Sequence, residues 1–111
     1  MSKLVEHLSE GKHPVVIAES RNSLVEFRQR VEEMGYVFVT FSQTQGETRL
    51  GIRIDKNTTD LSHADFEHGT GMVHLEGLVT LDYVRVRCVA DIDLSTLRGS
   101  GHLVVLEAVH P

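Results

Sequence analysis

At 111 residues the chain is the size of one ordinary domain, able to bury roughly two-thirds of its unfolded surface without disulfides or metal. Its 41% hydrophobic and 24% charged residues exclude a disordered chain, and a net charge of −5 argues against a broad phosphate-binding surface. One cysteine excludes an internal disulfide, and no stretch has the apolar length of a signal-peptide core or a membrane span. A single cytoplasmic domain over residues 1–111, with no membrane partner, is expected.

Leu4, Val5 and Leu8 predict a short first helix, closed by Gly11 and by Pro14 soon after. Pro14-Val15-Val16-Ile17-Ala18 reads as a strand buried on both faces, with proline tolerated at its start. The clearest helix follows. Ser23 and Glu26 have capping-box spacing, Leu24, Phe27, Val31 and Met34 recur along one face, and Gly35 supplies a left-handed stop. Glu26 and Arg30 form a favourable pair one turn apart.

A hairpin is expected next. Val37, Val39 and Phe41 share one side of a strand, Gly46 marks the turn, and Thr48, Leu50, Ile52 and Ile54 alternate with Glu47, Arg49, Arg53 and Asp55. Residues 60–69 read as a short helix or helical turn, begun by Asp60 or Ser62 and ended by Gly69.

The last third is strand-rich. Val73, Leu75, Val79 and Leu81 hold one parity, while Val84, Val86, Cys88, Ala90, Ile92 and Leu94 hold the other. A two-residue turn at Asp82-Tyr83 reconciles the two phases; a single bent strand with a bulge is the alternative. Arg98-Gly99-Ser100-Gly101 reads as a loop into an interior strand, Leu103–Leu106.

These elements predict an α+β fold: an antiparallel sheet of about five to six strands, with one long and one or two short helices packed on one face. The middle of the string matches the ferredoxin-like β-α-β-β-α-β order with an appended β-hairpin, in element order alone.

Seven histidines raise the question of metal, and His63, Asp65, His68 and His74 are the tightest group. A separation of five residues points His63 and His68 roughly 140° apart on a helix, so no metal is expected. Asp91 and Asp93 share the polar side of a strand and read as its wet face. Cys88, on the apolar side, reads as a core residue. His68-Gly69-Thr70-Gly71 and the loop holding Arg98 and Ser100 combine glycine, hydroxyl and cation, as anion-cradling loops do, but neither opens a helix.

The most suggestive surface lies on the sheet. Arg49 and Arg53 share the polar side of one strand, and Arg85 and Arg87 that of another, beside Tyr83. On adjacent strands these would line one anion-binding face. The competing reading pairs the arginines across strands with Glu47, Asp55, Asp91 and Asp93.

With no convincing catalytic set, the sequence reads as a non-enzymatic binding module with no cofactor: a regulator or inhibitor of another protein, or a homodimer. Immunity proteins and inhibitors encoded by mobile elements are one class that fits. The alternative is a domain for a small ligand, nucleotide or nucleic acid, held by Arg49, Arg53, Tyr83, Arg85, Arg87, Arg98 and Ser100. A small enzyme with its site completed at an oligomer interface is the third reading.

Overall fold

The computed structural model describes residues 2–18 and 23–108. Its elements are α1 (Lys3–Ser9), β1 (His13–Val16), α2 (Leu24–Gln29) running into a π-helical turn (Arg30–Met34), β2 (Tyr36–Phe41), β3 (Thr48–Ile54), β4 (Ala64–Asp65), β5 (Thr70–Leu81), β6 (Val84–Asp93) and β7 (Arg98–Ala108). The α+β class is as expected, but the sheet is larger, with seven strands among the described residues.

Every strand pair is antiparallel, and the order β3-β2-β1-β7-β6-β5-β4 is not that of a ferredoxin-like sandwich, whose crossovers create parallel neighbours. The sheet also meets itself. Arg53 and Ile54 of β3 pair with Leu78 and Gly77 of β5, so β1, β2, β3, β5, β6 and β7 close into a ring. The sheet thereby curls round its own core.

Alternation along the strands builds that core. Val37, Val39 and Phe41 of β2, Leu50, Ile52 and Ile54 of β3, and Val84, Val86, Cys88, Ala90 and Ile92 of β6 are all buried in one cluster. The helices add Val5 and Leu8 from α1, Phe27 from α2 and Val31 from the π turn. The capping-box expectation fails, because Ser23 makes no side-chain cap bond. Met34, expected on the inward stripe, is 58% exposed. The reason is the π turn: Gly35 N–H donates to Arg30 O at 2.8 Å, five residues back, and the wider turn carries Met34 out of phase. Gly35 is the left-handed stop expected of it, at φ 72°.

No helix forms over residues 60–69. Asp60 accepts the Ser62 N–H at 2.8 Å and Asp65 the His68 N–H at 3.0 Å, so both act in turns flanking the two-residue β4. Nor is residue 98–101 a loop. Gly99 and Ser100 lie in β7 between β1 and β6, and a Cβ on Gly99 would collide with the carbonyl oxygen of Asp91. Leu103 is buried as expected of an interior strand, yet Val104 and Leu106 are exposed.

The Asp82-Tyr83 turn is as the phase change requires. Leu81 faces Val84, and both turn residues have positive φ, 49° and 62°, the geometry of a two-residue hairpin with primed twist. Tyrosine is strained there, so Tyr83→Gly is expected to stabilise by roughly 0.5–1 kcal/mol. A higher urea midpoint with unchanged slope would show it; a lower one would mean that the Tyr83 ring has a structural task.

Candidate functional site

The outward side of β2 and β3 gathers the residues of interest. Both strands alternate, so burying Val37, Val39, Leu50 and Ile52 turns Tyr36, Phe38, Arg49, Gly51 and Arg53 out. Tyr36 lies opposite Arg53, and Thr40 opposite Arg49. The Arg49 guanidinium sits 4.1 Å from the centre of the Phe38 ring, and Arg30 reaches the same ring at 5.6 Å. Tyr36 meets Phe38 edge-on at 5.2 Å. Gly51 has no side chain to place here, and the Tyr36 phenol fills the position a Cβ would take.

The four sheet arginines all turn outward, but they do not form one cluster: β5 lies between β3 and β6, with Leu78 between Arg53 and Arg87, and the two pairs have different electrostatics. Arg87 bonds Asp55 at 3.1 Å and Glu76 at 3.4 Å, while Arg85 bonds Glu107 at 3.0 Å. The Arg87 hydrogen bond, with the Asn57 N–H, holds the Asp55 carboxyl below its usual range. For β6, then, cross-strand charge pairing holds, with Asp55 the anticipated partner and Glu76 and Glu107 unanticipated ones. Among the described residues, neither Arg49 nor Arg53 has a carboxylate partner within 4.0 Å.

Arg53 and Arg85 come together differently, across a cleft of ≈ 550 Å³ at the seam where β3 and β5 diverge. Tyr36, Leu78, Val79 and Thr80 complete its lining. The remaining sequence candidates lie elsewhere. Tyr83 stands 64% exposed at the hairpin tip. Ser100 pairs with Asp91 and Pro14 inside the sheet, and Arg98 begins the same strand opposite Asp93. As strand residues, Arg98 and Ser100 form no anion-cradling loop.

Sequence reading missed a polar chain on the outer side of β5 and β6. His74 Nδ1 is 2.8 Å from Asp91 and Nε2 is 2.6 Å from Glu76, which in turn meets Arg87. The turn at Asp82-Tyr83 fixes the whole β5–β6 register and so places His74 opposite Asp91, which is the signal that could have revealed it. The two carboxylates take opposite edges of the ring, so the three groups do not converge on one point. Among the described residues, no three His, Cys, Asp or Glu groups gather as metal ligands. His68 is tied to Asp65 at 2.7 Å. Burial pushes the Cys88 thiol up to about 12, which leaves it without thiolate at neutral pH.

The Asp91 and Glu76 hydrogen bonds raise the His74 pKa above its ordinary 6.5. The fold therefore favours the protonated ring. Its contribution is fully present below pH 6.5 and is lost as pH rises through the raised folded value. His74→Gln is expected to lose stability relative to the parent below pH 6.5, and the gap to narrow as pH rises through the raised folded value. Urea midpoints across a pH series decide; a gap that widens with pH would contradict the assignment.

No protein-family model matches the chain, and no curated protein matches it. Among the described residues, no helix is long and apolar enough to cross a membrane.

Proposed function

We infer that this is a non-enzymatic binding module, a regulator or inhibitor that engages an acidic surface of another protein through the outer side of β2 and β3. One observation carries the reading: Arg49 and Arg53 stand on that side with no carboxylate partner among the described residues, in a chain of net charge −5. Unpaired guanidiniums beside exposed aromatic carbon are what interfaces favour, arginine and tyrosine being enriched among residues that dominate binding. Tyr36 is 41% exposed and Met34 lies two residues before it, so apolar contact area adjoins the charge.

A nucleic acid or nucleotide at the same face is the second reading, and the exposed Tyr36 ring is the observation that favours it. The Phe38 ring weighs against it. Arg49 and Arg30 both lie over that ring, which leaves less aromatic surface for stacked bases than a single-strand platform uses.

Fluorescence anisotropy with a labelled polyglutamate peptide and a single-stranded oligonucleotide, across a range of salt, tests both. Peptide binding that weakens with salt, and falls at least about tenfold in Arg49→Glu with Arg53→Glu, is expected. Tighter binding to the oligonucleotide would transfer the face to nucleic acid, and unchanged peptide binding by the variant would remove it as the site.

A further inference from the structure

The β3-facing edge of β5 is filled by successive pieces of the chain. β4 pairs with Thr70 and Gly71, Asp60 exchanges N–H···O bonds of 2.8 and 3.1 Å with His74, and Asp55 N–H donates to Glu76 O at 2.8 Å. Arg53 and Ile54 then face Leu78 and Gly77. There the filling stops. The strands diverge, and the ≈ 550 Å³ cleft opens between Gly51 of β3 and Thr80 of β5.

The antiparallel hydrogen-bond pattern determines which backbone groups face this gap. Ile54 N–H donates to Gly35 O on the β2 side at 2.9 Å, so alternate residues from Ile54 backwards bond to β2. Gly51 and Arg53, between them, turn their N–H and C=O toward β5. On β5, the two-residue turn makes Leu81 and Val84 the hydrogen-bonded pair, so Thr80 turns its own groups away from β6. Gly51 and Thr80 thus offer donors and acceptors into the cleft, and among the described residues no strand pairs with either on that side. Exposed edges of this kind accept an added strand.

Charge says which strand. Arg53, without a carboxylate partner, and Arg85, whose Glu107 partner is itself 59% exposed, stand at the two sides of the gap. We propose that the β3–β5 gap receives an extended acidic segment of the partner protein, its backbone pairing at Gly51 and Thr80 and its carboxylates meeting Arg53 and Arg85. This rests on the reading of the face as a protein-binding surface and adds to it the mode of binding.

Two synthetic peptides of equal length and charge separate the two ideas: alternating glutamate–valine, which can form a strand, and alternating glutamate–proline, which lacks half the backbone donors. The proposal expects the valine peptide to bind at least about tenfold more tightly than the proline one, and the Gly51 and Thr80 amides to become protected from hydrogen exchange when it does. Thr80→Pro should abolish that preference; should the variant misfold, the exchange measurement on the unaltered chain decides. Equal binding of the two peptides would overturn strand addition while leaving the charged face in place. Binding of neither would overturn both. Protection of Gly51 and Thr80 before any peptide is added, with a dimer in sedimentation, would make a second copy the occupant and overturn the acidic partner.

Discussion

Ile52→Asp is expected to unfold the protein, whereas Arg53→Ala, one residue further on, is expected to shift stability by less than about 0.5 kcal/mol. Ile52 is fully buried in the core cluster and Arg53 is exposed on the other side of the same strand. An aspartate at 52 would bring a charge among apolar side chains with no partner to neutralise it. That costs about 3–5 kcal/mol, a large part of the roughly 5–15 kcal/mol that holds a domain of this size together. Circular dichroism and urea denaturation of the two variants make the comparison. Similar midpoints would mean that β3 is turned the other way, and the candidate face with it.

Gly77→Val is expected to break the ring open. A Cβ at Gly77 would lie 2.5 Å from the carbonyl oxygen of Arg53 and 3.3 Å from Ile52 Cδ1, so β3 must move off β5 or the hairpin must bend. Forcing volume into a closed contact of this kind costs roughly 1–3 kcal/mol, and the loss should fall on the seam first. Hydrogen exchange at Asp55, whose N–H donates to Glu76 O at 2.8 Å, should speed up more than exchange at Val39 in the centre of β2. Uniform acceleration across the sheet would show that the seam is no weaker than the rest.

Strand identity and facing were legible in the sequence because a period of two reports which side is buried. The parity of Thr48–Ile54 and the phase change at Asp82-Tyr83 both reappear in the structure, the latter as a hairpin with Leu81 opposite Val84. Capping residues were not decisive, since aspartate and serine serve turns as well as helix starts, and Asp60 accepts the Ser62 N–H in a turn. Glycine misled at Gly99, where the missing side chain admits the Asp91 carbonyl within a sheet instead of marking a loop. Closure of the ring was out of reach. Nothing local in Arg53-Ile54 or Gly77-Leu78 shows that these segments meet, because their pairing follows from the accumulated twist and curl of the strands between them. For the same reason the arginines could be assigned to a side of each strand but not to neighbours. Arg53 and Arg85 face one another across a cleft while Arg87 is drawn to Asp55.

The binding surface is tested most directly by mapping backbone amide shifts of the isotope-labelled protein as an acidic peptide is titrated in. Changes centred on Tyr36, Phe38, Arg49, Gly51 and Arg53, absent when Arg49 and Arg53 are both replaced by glutamate, are the predicted result. Changes centred instead on His74 and Arg87 of the β5–β6 hairpin, or on Val104 and Leu106 of β7, would contradict it and move the site to those strands.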